Sequence, residues 1–268
     1  MADLNPLNWW RNFLALPNDS PTKTFVVAFL VASLSAAAVT ITAVSLKPLQ
    51  DANIERDRQQ RMEEMLASVP GLTDILKGAN ADSLETRIID LDKGTYVAGI
   101  DPASFDVAAV AADPGRSVAL PADADIAGIG RRPNFAPVHL VRQDGRLLLV
   151  ILPVYGSGYQ STIRAYLALR NDLNTIAALS VYEQKETPGL GTRITEAAWQ
   201  DRWAEKRIAD DKGDIRISVV RGTGTGPFEV DGITGATRSA NGVANLVRFW
   251  TGEHGFGLFL ANLREGKI

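Results

Sequence analysis

The chain has 268 residues, a formal net charge of −3 and no cysteine. The acidic balance argues against a nucleic-acid partner, because such surfaces are normally basic. The lack of cysteine excludes disulfides, thiolate metal sites and cysteine-ligated iron–sulfur clusters in this chain. With histidine only at His139 and His254, we predict no metal site. A chain with so few reactive side chains needs a bound cofactor for redox chemistry.

Near the N-terminus, residues 24–46 read TFVVAFLVASLSAAAVTITAVSL and contain no charged residue. About 20 apolar residues are enough to cross a bilayer as a helix. A secretory signal peptide is the competing interpretation, but this run is longer than an ordinary signal core and begins far from Met1. We therefore predict a short tail over residues 1–23 and a single transmembrane helix over residues 24–46, in contact with the lipid bilayer.

Residues 47–130 are expected to form a membrane-proximal part of the soluble domain. The charged stretch 51–66 predicts a helix that continues from the span and ends at Pro70-Gly71. Short strands are predicted over residues 84–91 and 94–100. Residues 108–130 are rich in Ala, Asp, Pro and Gly with little periodicity, which predicts irregular structure.

The following residues are rich in strand patterns. Apolar runs at 138–142 and 146–154, separated by Asp144-Gly145, predict a β-hairpin. Other predicted elements are a strand pair over 162–170 and 175–182, a helix over 195–208 with Thr195 as N-cap, a strand over 215–220 and a short helix over 256–263. The glycine-rich run at 221–227 does not have the G-x-G-x-x-G spacing and does not open a helix, so we predict no dinucleotide site there.

A first candidate ligand loop reads Glu186-Thr187-Pro188-Gly189-Leu190-Gly191. Pro-Gly favours a tight turn. Glycines on both sides of Leu190 let the backbone come close to a ligand, and the leucine offers an apolar surface. From spacing alone, this is a turn that follows a strand.

A second candidate loop runs from Asp231 to Ser239 and leads into a helix. Its turn chemistry and small residues leave room for a large ligand beside Thr237. After Thr237, apolar residues recur at helical spacing at Val243, Leu246, Val247 and Trp250. Thr237 is therefore at or just before a helix start, and two interpretations are open. Its hydroxyl either caps the helix or carries a phosphate that faces free backbone N–H groups.

Thr234-Gly235-Ala236-Thr237, preceded by Asp231 and followed by Ser239, resembles the flavinylation motif of the FMN-binding domain family. In that family the last threonine carries FMN through a phosphoester bond. The loop at 186–191 resembles the family's second signature, which lines the flavin pocket. The resemblance implies one covalent FMN on Thr237 and no catalytic side chain. The cofactor-binding residues that it implies are Glu186, Thr187, Gly189, Leu190, Gly191, Asp231, Thr234, Gly235, Ala236, Thr237 and Ser239.

The whole chain resembles the C-subunit family of the sodium-translocating NADH:quinone oxidoreductases, the Nqr complexes. The resemblance implies an α+β protein in which one N-terminal transmembrane helix precedes a soluble FMN-binding domain of mixed antiparallel sheet and helices, over residues 131–268. It places that domain on the periplasmic side of a bacterial inner membrane. A separate flavin transferase is expected to add the FMN from FAD. Partner subunits would hold the NADH site and the sodium path while the flavin relays electrons from NADH towards ubiquinone.

Two other interpretations stay open at this point. The chain also resembles the G subunit of the related Rnf electron-transport complex. Alternatively, it is an anchored periplasmic domain without covalent flavin, in which Thr237 only caps a helix or the ligand is held noncovalently.

Overall fold

The computed structural model describes residues 10–11, 13–17, 20–68, 84–143 and 145–268. The chain divides into two compact units, Met1–Arg56 and Asp57–Ile268, with the boundary inside the first long helix. That helix, α1, runs over Pro21–Ser68 and continues through Pro48. Its predicted end at Pro70-Gly71 lies outside the described residues.

Helix α1 contains the predicted membrane span. Its segment Pro21–Ile54 has a mean hydropathy of 2.2 over 34 residues, and in the described part of the chain it is the one helix long and apolar enough to cross a membrane. Large apolar side chains such as Phe25, Phe29 and Leu34 are exposed along it. Such a surface is costly in water and suits a lipid environment.

The second unit is built on a six-stranded antiparallel sheet with the strand order β2-β1-β5-β6-β7-β8. Two smaller pairs accompany it, the antiparallel pair β3–β4 and the parallel pair β9–β10. The strands are β1 Leu84–Asp90, β2 Thr95–Tyr96, β3 Ser117–Ala119, β4 Arg131–Pro133, β5 Phe135–Gln143, β6 Arg146–Ser157, β7 Thr162–Arg170, β8 Ile176–Glu183, β9 Ser218–Val220 and β10 Glu229–Asp231. The helices of this unit are α2 Val107–Ala112, α3 Ala197–Gln200, α4 Thr237–Thr251 and α5 Gly257–Arg264.

Both predicted hairpins are confirmed. Strands β5 and β6 pair antiparallel, and β6 pairs with β7 in a register that runs from Leu149 opposite Arg170 to Ser157 opposite Thr162. The predicted partners of the second hairpin, β7 and β8, also pair antiparallel. Strand β6 lies in the middle of the sheet, and six of its twelve residues are buried, including all four of the run Leu149–Leu152. This explains why its sequence is nearly continuous in apolar residues instead of alternating.

Helix α4 packs its apolar stripe on the sheet. Val243, Leu246, Val247 and Trp250 are all buried, and the Trp250 indole donates a 2.7 Å hydrogen bond to the carbonyl of Tyr155 on β6. Full burial of each aliphatic side chain stabilises the fold by about 1.5–3 kcal/mol. The sheet and α4 together therefore confirm the predicted α+β class, and they fix the position at which α4 begins.

One local prediction was wrong, and two were confirmed only over part of their range. Residues 108–130 are not wholly irregular, because α2 forms where the Asp106 carboxylate accepts the N–H groups of Ala108 and Ala109. Strand β3 also lies in that segment. The predicted strand over 94–100 is reduced to Thr95–Tyr96, and the one over 215–220 is reduced to Ser218–Val220.

The predicted helix over 195–208 was also wrong. The segment contains the 3-10 turn Gly191–Thr195, the single turn α3 and the 3-10 turn Asp201–Trp203. Glu205 then adopts a φ of 63°, and its N–H donates to the carbonyl of Ile176. The chain therefore pairs with the edge of β8 instead of continuing as a helix. Thr195 is not an N-cap, because its hydroxyl donates to the carbonyl of Thr192.

Candidate functional site

The two candidate loops lie next to each other in the fold. Residues 186–191 lie between β8 and α3 and end at the first residue of the 3-10 turn Gly191–Thr195, and residues 232–236 connect β10 to α4. A Cβ atom at Gly235 would lie 3.2 Å from Cδ2 of Leu190. Gly235 has a φ of +82°, a conformation that glycine adopts at little cost. The structure thus brings together two segments that the sequence separates by about forty residues.

Thr237 is the first residue of α4, and Ala236 is in the N-cap position without a side-chain hydrogen bond. The interpretation of the Thr237 hydroxyl as a helix cap is therefore wrong. The Thr237 side chain is exposed, and no hydrogen bond within the described part of the chain engages its hydroxyl. Thr237 thus offers a free hydroxyl to solvent at this point.

Backbone N–H groups without helical acceptors begin at the same residue as that hydroxyl. The N–H of Ala240 donates to the carbonyl of Ala236 at 3.0 Å. The N–H groups of Thr237, Arg238 and Ser239 precede this bond and have no acceptor within the helix. They lie at the positive end of a 15-residue helix. This arrangement suits a phosphate or another anion held beside Thr237.

The Glu186 carboxylate connects the first loop to helix α4. Ser239 donates a 2.6 Å hydrogen bond from Oγ to Glu186 Oε2. Glu186 and Ser239 are both buried, at 4% and 2% exposed respectively. A Cβ atom at Gly191 would lie 2.7 Å from Glu186 Cβ and 2.8 Å from Ser239 Oγ. The site needs glycine at position 191 because this approach leaves no room for a side chain.

Asp231, the acid at the start of the second loop, is engaged within the protein. Its carboxylate forms an ion pair with Arg202 and accepts the N–H of Gly224 at 2.8 Å. Its carbonyl accepts a 2.9 Å hydrogen bond from the indole of Trp199. These contacts join the loop to the α3 region and to the chain between β9 and β10. Asp231 thereby fixes the path of the backbone towards Thr234 and Thr237.

The backbone of the first loop is fixed by its own hydrogen bonds. The carbonyl of Thr187 accepts the N–H groups of Leu190 and Thr192, each at 3.2 Å. The N–H of Gly189 donates to Oγ1 of Thr192 at 3.0 Å. The side chain of Leu190 remains 48% exposed. The loop therefore presents an apolar side chain on a fixed turn beside Gly235.

The turn that precedes β7 also contributes residues that the sequence did not reveal. Tyr159, Gln160 and Ser161 donate backbone N–H groups to Glu186 at 3.0–3.1 Å. The guanidinium of Arg238 lies 5.3 Å from the centre of the exposed Tyr159 ring. Nothing in the spacing of these residues indicates the contacts, because they form between segments that are distant in the sequence.

Comparison with known proteins assigns the chain to a family. The model of the FMN-binding domain matches residues 158–252. The chain is 40% identical to the C subunit of the Na⁺-translocating NADH-quinone reductase of Pseudomonas aeruginosa, over 93% of this chain and 98% of that protein. It is 35% identical to the corresponding protein of Vibrio alginolyticus, over 95% of this chain and 100% of that protein.

Solved structures agree with this assignment. The crystal structure of Shewanella oneidensis NqrC matches with a TM-score of 0.67 and 33% identity, covering 77% of this chain and 99% of that one. The corresponding protein from Parabacteroides distasonis shares the fold, with a TM-score of 0.53 and 22% identity over 82% of this chain and 96% of that one. The extent of these sequence and structure matches shows that the chain belongs to the NqrC family, the C subunits of the Na⁺-translocating NADH-quinone reductases.

Proposed function

We propose that this chain is the membrane-anchored, flavin-carrying subunit of an Nqr complex, with FMN esterified to Thr237. The observation that carries the proposal is the exposed Thr237 hydroxyl at the first residue of α4. It lies beside backbone N–H groups without helical acceptors. The match to the FMN-binding domain model covers this residue.

The attachment is a phosphoryl transfer from FAD, performed by a flavin transferase. Thr237 Oγ1 forms a bond to the phosphorus of the FMN half and loses its proton. The phosphoanhydride bond of FAD breaks, and AMP leaves. The product is a phosphodiester with one negative charge, which the N–H groups at the start of α4 and the dipole of that helix stabilise.

The residues around Thr237 fit the rest of the group. Gly235 and Ala236 place little bulk next to the phosphate, and the partly exposed Leu190 offers apolar surface for the planar ring. The first candidate loop, which presents Leu190, also contributes Thr187, Gly189 and Gly191 to the flavin site. The second candidate loop, called the attachment loop from here on, contributes the exposed Thr234. When bound, FMN supplies the redox chemistry. The chain's own residues hold and orient it, and a covalent bond removes the need to rebind it in each turnover.

We place the subunit in the relay of electrons from NADH to ubiquinone, coupled to Na⁺ translocation. The relatives are named as subunits of a Na⁺-translocating NADH-quinone reductase, which supports this place and favours Nqr over the Rnf complex. We assign the NADH site and the path of sodium, the transported substrate, to partner subunits. Helix α1 supplies the single membrane anchor, and we place the soluble domain on the periplasmic side of the bacterial inner membrane.

The experiment is in-gel flavin fluorescence of the denatured chain after co-expression with a flavin transferase. The wild-type band should fluoresce and Thr237→Ala should be dark. Thr225→Ala is the matched control, because it changes a threonine outside the attachment loop, and it should fluoresce like the wild type. A dark wild-type band would leave an anchored domain without covalent flavin. Release of the flavin on denaturation would indicate a noncovalent ligand.

A further inference from the structure

A buried hydrogen-bond cluster centred on Glu186 lies behind the attachment site. We propose that Glu186 is a positioning residue that acts through Ser239 to fix the first turn of α4, so that Thr237 is presented for covalent flavin attachment. The inference rests on the proposed function, since it concerns the attachment of FMN to Thr237. It gives Glu186 and Ser239 a structural task in the modification, without direct contact with the flavin.

The carboxylate of Glu186 is fully engaged with the protein. Its Oε1 accepts the N–H groups of Gln160 and Ser161 and the hydroxyl of Ser161, at 3.0–3.2 Å. Its Oε2 accepts the N–H of Tyr159 at 3.0 Å and the hydroxyl of Ser239 at 2.6 Å. With these donors and only 4% exposure, the carboxylate has little capacity left for a ligand. Instead it joins three segments: the turn before β7, the first loop and α4.

The space around the carboxylate supports the same role. A Cβ atom at Gly158 would lie 2.5 Å from Glu186 Oε1. Gly191 comes similarly close on the other side, to Glu186 Cβ and Ser239 Oγ. Both positions must be without a side chain for the three segments to converge on one carboxylate. Satisfied buried networks of this kind select a single geometry, because any rearrangement leaves a buried polar group without a partner.

The link to Thr237 follows from helix geometry. Ser239 lies two residues after Thr237 in the first turn of α4, and successive residues of an α-helix point in directions about 100° apart. Ser239 is buried against Glu186, whereas Thr237 and Arg238 are exposed. The Ser239–Glu186 hydrogen bond therefore fixes the rotation of the first turn, and with it the direction of the Thr237 hydroxyl. Loss of the bond would let this turn fray without removing the hydroxyl itself.

The test measures the initial rate of flavin attachment to the purified full-length apo-protein, with FAD and a flavin transferase. We expect Glu186→Gln and Ser239→Ala each to lower the rate at least about tenfold, through a lower kcat with an unchanged KM for FAD. The double variant should be no slower than the slower single variant, because both remove the same interaction. Ser239→Ala also covers the case in which Glu186→Gln fails to fold.

Asp90→Asn is the matched control. Asp90 is also a buried carboxylate, 8% exposed, and it accepts the N–H groups of Asp92 and Lys93 in the turn after β1. Its variant should lose thermal stability but keep the attachment rate within about twofold of wild type. Wild-type rates for Ser239→Ala or folded Glu186→Gln would overturn the inference, as would an equal loss of rate in Asp90→Asn. A wild-type chain that takes up no flavin would overturn both this inference and the proposed function.

Discussion

Leu190 contacts the attachment loop at Gly235, where Cδ2 of the leucine lies 3.2 Å from the position that a Cβ atom would take. The two motif loops meet at this contact and also at the Ser239–Glu186 hydrogen bond. The contact with Leu190 depends on a residue that has no side chain and has a φ of +82°. The loop that presents the apolar side chain of Leu190 and the loop that leads to Thr237 therefore constrain each other.

The first prediction concerns Gly235→Ala. An alanine at this positive φ costs about 1–2 kcal/mol in backbone strain, and its methyl group would also press on Leu190. We expect a lower melting temperature together with slower flavin attachment. Gly213→Ala is the control, because Gly213 has a φ of +88° with open space around it. If the two variants attached flavin equally fast, the Leu190 contact would have no role in the site.

A second prediction compares two tryptophans whose ring centres lie 5.7 Å apart. The indole N–H of Trp199 donates to the carbonyl of Asp231, whereas the buried indole N–H of Trp203 has no partner within the described part of the chain. Both variants lose the same ring volume. Trp199→Phe should therefore lower the free energy of unfolding by about 1 kcal/mol more than Trp203→Phe does, because only Trp199 loses a hydrogen bond. Urea unfolding of the purified full-length protein measures the difference, and equal losses would contradict it.

A third prediction concerns acid stability. Burial lowers the pKa of His139 to about 4, while the unfolded chain binds a proton near the ordinary histidine value of about 6.5. The unfolded state therefore binds more protons between these two values, so the free energy of unfolding should fall as pH drops from about 6.5 to about 4. Across this whole window the free energy of unfolding should fall by roughly 3 kcal/mol, at about 1.4 kcal/mol per pKa unit.

Unfolding of His139→Gln as a function of pH tests this dependence. The variant should show a flatter slope in that window than the wild type. The control is the same pair of proteins above pH 7, outside the window, where their slopes should be parallel because His139 is neutral in both the folded and the unfolded state. A wild-type slope in His139→Gln would show that other groups cause the acid sensitivity.

Acid sensitivity below that window should come from carboxylates. Burial raises the pKa of Glu186, but the hydrogen bonds from Ser239 and from three backbone N–H groups outweigh it and lower the pKa overall. A carboxylate whose pKa is lowered by folding stabilises the protein above its unfolded pKa, and this contribution is lost as pH falls through the folded value. The Glu186–Ser239 hydrogen bond should therefore persist at mildly acid pH. Apo-protein held at mildly acid pH and returned to neutral pH should attach flavin at the rate of untreated apo-protein. A lasting loss of that rate would contradict the prediction.

Patterns within a segment predicted much of the fold. The Asp144-Gly145 turn signal between apolar runs indicated the β5–β6 hairpin, and the apolar spacing after Thr237 indicated α4. The helix expected over 195–208 failed because the spacing of Trp199 and Trp203 is also satisfied by two short turns. The competing interaction, the hydrogen bonding of residues 205–206 with Ile176 at the edge of β8, is not encoded in the local pattern.

In the candidate site, too, patterns within a segment were predictable from the sequence, whereas contacts between distant segments were not. The motif residues indicated two candidate loops, but not that Ala236 would take the cap position and leave the Thr237 hydroxyl free. The internal use of Glu186 and Asp231 depends on partners such as Tyr159, Ser239 and Arg202, which only the tertiary structure brings near. Contacts between distant segments leave no spacing to recognise in a single sequence.

The most direct test of covalent FMN on Thr237 is mass spectrometry of the tryptic peptide over residues 222–238, from protein matured with a flavin transferase. Cleavage after Arg221 and Arg238 gives a peptide that contains Thr234 and Thr237 and leaves out Ser239. We expect this peptide to carry the mass of one FMN less one water, with fragmentation assigning it to Thr237. An unmodified peptide from flavin-loaded protein, or FMN located on Thr234 or Ser239, would contradict the account.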